Sequence, residues 1–195
     1  LMNDLVLLHQ AGINVVLIPG ARQRIDEVLT QYGLGWERIQ GIRIATPEQM
    51  PFIKMAAFDV VNRLLTTLSE HRTNAVVGNW VRARAIGVQD GVDYQHAGHV
   101  ERVQLDLLRN VLDDRLVPIF PCIGWSGAGQ PHNISSRELA SSIAMGLAAD
   151  KLFFITSSPG IEAAVNSPTS FLRSLRISSA FFHSSVTEYS CRTLL

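Results

Sequence analysis

In residues 1–10 (LMNDLVLLHQ) apolar side chains fall at positions 1, 5 and 8 and again at 2 and 6. That is the three-and-four spacing of one helix face. Gly12 stands where a glycine closes such a helix. Residues 13–18 (INVVLI) then run almost unbroken in apolar, β-branched character, which predicts a strand buried on both faces. Pro19-Gly20-Ala21 interrupts it, and residues 23–32 return to helical spacing through Ile25, Val28 and Leu29. Strand, tight turn and helix make half of a βαβ unit.

The pattern continues in this way. Thr46, Pro47 and Gln49 read as a capping box with proline in the first turn, opening a long amphipathic helix over 47–69. Residues 78–98 (GNWVRARAIGVQDGVDYQHAG) hold an arginine-bearing strand, a Gly/Asp-rich loop and a short polar segment ending in a turn; one or two strands fall within 74–86. Leu105, Leu108 and Leu112 are in helical register over 103–113. Residues 116–123 (LVPIFPCI) predict a buried strand, 126–129 a turn, and Ser135 to Glu138 a second capping box launching a helix through 149. Residues 151–156 (KLFFIT) predict a further buried strand. The βα alternation implies an α/β fold whose mainly parallel sheet is covered on both faces. Such sheets hold ligands beyond the carboxyl ends of their strands, which singles out the loops after Ile18, Ile123 and Thr156. From residue 157 the chain turns Ser-rich, and its apolar clusters have no sustained period beyond a short helical stretch at 169–175. No internal repeat is present.

Composition narrows the function classes. Seventeen Lys and Arg balance 17 Asp and Glu. That balance argues against a nucleic-acid groove, which needs clustered positive charge. All basic residues but Lys54 and Lys151 are arginines, and arginine favours planar, two-point contacts with carboxylate or phosphate. Two cysteines make no disulfide framework; Cys122, in an apolar run, reads as a small core residue. No apolar run approaches the roughly 20 residues of a membrane span, and no signal peptide is visible. A reduced, cytoplasmic setting is expected. The chain opens on Leu1, so its natural start is expected to lie upstream.

Three places carry candidate chemistry. Pro19-Gly20-Ala21-Arg22 follows a strand and opens a helix, where backbone N–H groups favour an anion; an ordinary βα turn needing Gly20 for its backbone is the alternative. Arg43 lies between Ile42 and Ile44. A cation placed there needs an acidic partner, either a ligand carboxylate or a protein one. Asn133 leads from a turn toward a helix start, where it donates to a ligand or caps the loop. Other patterns are weaker. His96 and His99 have metal-ligand spacing, but on a hairpin they would not converge and no third ligand is near. Ser126-Gly127-Ala128-Gly129 lacks the Lys-Ser/Thr of a phosphate loop and reads as a hairpin turn. The serines have no nucleophile-elbow context. Arg137 falls in a first helical turn, where the dipole disfavours a cation.

Taken in order, these segments resemble the amino-acid kinase family, with its carbamate-kinase-like fold, and within it the kinase-type domain of the N-acetylglutamate synthases. The matching stretches are 4–26, 41–48, 78–103 and 123–156, and the likeness covers about residues 1–160. The resemblance implies a three-layer αβα sandwich over 1–160, with a first strand expected upstream of Leu1 and an unrelated Ser-rich tail over 161–195. It implies that Arg43 and Asn133 hold an acylamino-acid ligand beside Gly20, Ala21 and Arg22. Kinases of the family cradle phosphate in a glycine-rich loop and carry an Asp at the place of Arg137. The single glycine and the arginine here therefore imply loss of phosphoryl transfer. They also imply a regulatory, oligomerising part of an amino-acid N-acetyltransferase, with no catalytic residue, metal or cofactor of its own. Acetyl-CoA would be the substrate of a domain outside the chain. An ATP- and magnesium-dependent acylamino-acid kinase and a non-catalytic amino-acid-binding domain are the alternatives.

Overall fold

The structure, a computed structural model, describes residues 1–155. Along the chain run α1 (Met2–Gln10), α2 (Arg22–Gln31), β1 (Arg38–Ile39), β2 (Ile42–Arg43), α3 (Met50–Glu70), β3 (Ala75–Val76), β4 (Val81–Ala85), β5 (Val88–Gln89) and β6 (Val92–Asp93). They are followed by β7 (Ala97–Val103), α4 (Leu105–Asp113), β8 (Val117–Pro118), β9 (Ile123–Trp125), β10 (Pro131–Ile134) and α5 (Ser136–Leu147).

Three parallel segments form the centre. Leu17 bridges Ile119, and β8 pairs with β3 in parallel. Residues 15–18 are buried along their whole length, and their side chains alternate between two helical layers. Val15 and Leu17 pack with Leu5 and Val6 of α1 and with Val61 and Leu68 of α3. Val16 and Ile18 pack with Leu108 and Leu112 of α4 and with Leu139 and Ile143 of α5. Period-two alternation between two helix layers is what a strand covered on both faces requires. Leu17, Ile18, Ile119 and Phe120 show 0% exposure, and each contributes about 1.5–3 kcal/mol relative to a solvated position. The α/β fold read from the sequence is thus present.

Beside this centre, β10, β7, β4 and β9 close into a ring. The ring mixes parallel contacts (β10 with β7, β4 with β9) with antiparallel ones (β4 with β7, β9 with β10). Two glycines let its strands approach. A Cβ on Gly98 would lie 2.7 Å from the His132 Cβ, and one on Gly124 would lie 2.6 Å from the Ala83 Cβ.

Several elements differ from the sequence reading. Ladder pairing in 13–18 is confined to the Leu17 bridge, and Ile13 is 50% exposed, its N–H still donating to the Leu8 carbonyl of α1 at 3.0 Å. The Thr46–Gln49 box forms in both directions, the Gln49 N–H reaching Thr46 Oγ1 and the Thr46 N–H reaching Gln49 Oε1. The helix nevertheless starts at Met50, with Pro51 rather than Pro47 in its first turn. Val103 ends β7 instead of opening a helix, and α4 begins at Leu105. Phe153 and Phe154 are 38% and 39% exposed, so 151–155 is not a doubly buried strand; Leu152 and Ile155 alone lean on the core. The Ser-rich tail at 161–195, its helical stretch at 169–175 and the loop after Thr156 lie outside the described residues.

Candidate functional site

The turn after Ile18 opens at the carboxyl end of the central strands. Pro19 is fixed there by Cys122, whose buried thiol donates to the Pro19 carbonyl at 3.2 Å. Gly20, Ala21 and Arg22 follow, and α2 starts without any side chain capping it and without an acid in its first turn. Its outward N–H groups therefore carry the positive end of the helix dipole toward whatever faces them.

They face a cleft of about 390 Å³, within the size range of small-molecule pockets. Gly20, Ala21, Arg22, Arg43 and Asn133 all line it, together with Arg38, His99, Cys122, Ser136, Arg137 and Glu138. The five residues singled out from the sequence, spread over more than a hundred positions, thus share one wall system. The hairpin turn at 126–129 does not contribute to that lining, nor do the arginines of β4. Val81 and Ala83 of that strand join the core packed under α4 and α5, while Arg82 and Arg84 are less buried.

Arg43 has 5% exposure. The acidic partner its position demands is Asp26, from the second turn of α2, which takes Arg43 Nη2 on Oδ1. The Arg22 carbonyl accepts from the same nitrogen at 3.4 Å. Arg43 Nη1 is buried and has no acceptor among the described residues. Burial pushes the Arg43 guanidinium below the ordinary arginine range, Asp26 opposes this, and Arg38 and Arg22 add to it by repulsion. Asp26 also accepts Arg38 Nη2 at 2.5 Å. Arg38 is brought there by the β1–β2 pairing, in which it lies directly across from Arg43. The Trp36 ring lies under both guanidinium groups, 4.3 Å from that of Arg38 and 5.4 Å from that of Arg43.

On the opposite wall β10 runs into α5. Asn133 is held through its backbone, its N–H donating to the His96 carbonyl at 2.9 Å. Ser135 caps α5 by accepting from the Glu138 N–H at 3.4 Å. The Glu138 side chain does not return to Ser135. It accepts from the Val100 N–H at 2.8 Å and contacts His99 Nδ1 at 3.1 Å. β10 pairs with β7 only as far as Gly98, so the carboxylate takes over as acceptor for β7 where the neighbouring strand turns into a helix. The two histidines of the HAGH segment part company: His99 meets Glu138, whereas His96 Nδ1 faces the Pro131 carbonyl at 3.1 Å. Among the described residues no group of His, Cys, Asp and Glu is arranged to hold a metal. Asp26, Arg38 and Trp36 were not singled out by the sequence reading. The signal that finds Arg38 is the Ile39-Gln40-Gly41-Ile42 turn, whose central residues have φ of +52° and +80°. A two-residue hairpin loop of that kind sets Arg38 opposite Arg43.

Residues 1–181 match the amino acid kinase family. The chain belongs to that family. Among curated proteins it is 33% identical over 170 residues to an amino-acid acetyltransferase of Ralstonia nicotianae, and 35% identical over 170 residues to one of Shewanella oneidensis. Each match covers 83% of this chain and 38% of the relative, so the chain spans well under half their length. Among solved structures it is similar to N-acetylglutamate synthase from Neisseria gonorrhoeae. The complex of that enzyme with coenzyme A and N-acetyl-glutamate matches at a TM-score of 0.77 and 31% identity, covering 85% of this chain and 39% of that one. Its complex with coenzyme A and L-arginine matches at 0.76 and 30%, covering 85% and 41%.

Proposed function

We propose that this chain is the kinase-like part of an amino-acid N-acetyltransferase that makes N-acetyl-L-glutamate from acetyl-CoA and L-glutamate, the entry to arginine biosynthesis. In this reading acetyl transfer belongs to a domain outside the chain, which also takes the acetyl-CoA. The part described here serves regulation and assembly, as a cytoplasmic homo-oligomer, and binds an amino acid or acylamino acid without transforming it. The names of the relatives and of the solved neighbours support the parent activity.

The observation that carries the binding role is the cleft. An uncapped helix start at Gly20-Ala21-Arg22 and the buried Arg43 face a wall carrying Asn133 and Arg137. Phosphoryl transfer needs acids or metals that gather negative oxygens and neutralise developing charge. Here the wall position held by an acid in the kinases is a cation, Arg137, and the one carboxylate among the described residues of the lining, Glu138, is spent on Val100 and His99. Such a site favours a resting anion over a transferring phosphoryl group.

Calorimetric titration of the full chain with N-acetyl-L-glutamate, alone and with MgATP, tests this. Binding is expected without ATP consumption. Arg43→Gln is expected to weaken it about tenfold or more, since a hydrogen bond between charged groups is lost. Asn133→Ala checks the same cleft from the other wall. ATP-dependent phosphorylation of the ligand carboxylate would overturn the reading in favour of a kinase.

A further inference from the structure

We infer that Arg38 is a second ligand-contacting residue of the cleft, and that Asp26 and Trp36 hold it beside Arg43 as a two-armed clamp for one ligand carboxylate. The inference rests on the reading of the cleft as an amino-acid or acylamino-acid site, and adds residues that the sequence did not point to.

Like charges directly opposite each other on paired strands repel. Arg38 and Arg43 are such a pair in the β1–β2 hairpin. Asp26 reconciles them by accepting from both, and the Trp36 face lies beneath both guanidinium groups. Charge is left over. Two guanidinium groups on one carboxylate carry a net positive charge, in a place where the side chains of Arg38 and Arg43 are only 14% and 4% exposed. Arg22 adds to the repulsion felt by Arg43. Cations this far from water are ordinarily matched by anions. Hydrogen bonding tells the same story. Arg38 spends only Nη2 on Asp26, and Arg43 keeps a buried Nη1 without an acceptor among the described residues. One further carboxylate, arriving through the cleft that both arginines line, balances the cluster. Asp26 acts through the arginines and is a positioning residue; Arg38 meets the ligand.

The test is titration of the full chain with N-acetyl-L-glutamate and with its two monoamides, in the wild type, Arg38→Gln, Arg38→Lys and Asp26→Asn. Arg38→Gln is expected to weaken the diacid about tenfold and to weaken likewise the monoamide that keeps the clamped carboxylate. It should leave the other monoamide unchanged, and Arg38→Lys should recover part of the loss. Asp26→Asn should weaken the diacid similarly; if that variant fails to fold, the Arg38 pair still decides. Equal losses for the diacid and both monoamides would make Arg38 merely structural and overturn the clamp. So would wild-type binding that Arg38→Gln changes by less than twofold, with the cleft reading intact. A wild type that binds none of the three probes overturns the cleft reading and the clamp together.

Discussion

α2 and α5 both begin at the wall of the cleft, yet one helix start is completed by the protein and the other is not. Ser135, at the start of α5, has extended backbone (φ −71°, ψ 126°) and accepts from the Glu138 N–H, and that glutamate also supplies a first-turn acid. Ala21, at the start of α2, sits at φ −102°, ψ 12° and no side chain caps the helix. Capping side chains reach the first-turn amides from an extended backbone, so the α2 start lacks more than a serine. The charges around it agree. Arg22 and Arg24 stand in the first turn of α2, where the dipole disfavours cations. Arg24 is accommodated by Asp59 at 2.6 Å, whose hydrogen bond raises its proton affinity. The comparison teaches that, of two helix starts at one cleft, α5 is closed by the protein's own groups while α2 is left without a side-chain cap among the described residues.

The sharpest way to break the finished end is Glu138→Ala. It removes the acceptor of the Val100 N–H and the partner of His99 at once. The His99 contact is partly exposed and screened, so the stranded amide carries the cost, about 1–3 kcal/mol. Urea or thermal melts should show that loss, with Glu138→Gln, which keeps an acceptor oxygen, clearly milder. A smaller pair of changes sharpens the contrast itself. Ser135→Ala should cost about 1 kcal/mol, the usual value of a cap. Ala21→Ser should give no matching gain, its effect staying within about 0.5 kcal/mol. If Ala21→Ser stabilised the chain as a new cap does, the α2 start would be an ordinary uncapped helix and the comparison would dissolve.

The two ends were also unequally legible in the sequence. The α5 start was readable because a capping box is local: Ser135 and Glu138 are three residues apart and one hydrogen bond defines them. What stayed hidden was the destination of the Glu138 side chain, since Val100 is 38 residues away and is reached only because β10 stops pairing at Gly98. At the α2 end the turn at Gly20 and the need of Arg43 for an acid were both legible. Which acid it would be depended on the β1–β2 register, which places Arg38 across from Arg43 and both over α2. The layers of the fold were legible for a simpler reason. Unbroken apolar runs such as 15–18 admit one arrangement, between two helical faces. Exposed Phe153 and Phe154 show where that rule fails: an apolar run at the margin of a sheet looks the same in sequence as one at its centre.

A dependence on pH is expected from the strand that delivers Asn133. His132 is buried at 6% exposure, with Nδ1 lacking a partner among the described residues, and its ring centroid lies 5.7 Å from that of His96. Burial, and then repulsion from His96, lower its proton affinity below the ordinary histidine value. His9 is lowered too, by burial and then by Arg115. The sign follows from which state binds more protons. Below about pH 6.5 the unfolded chain protonates these rings while the folded chain resists. Stability is therefore complete above that pH and declines as pH falls, with a slope of at most about 1.4 kcal/mol per pH unit for each histidine. Thermal melts at pH 7.5 and 5.5 should show the decline. His132→Phe, which keeps a ring against Gly98 and cannot take a proton, should reduce it and leave the His9 share. An unchanged slope in that variant would mean that the strand entering α5 is indifferent to protonation.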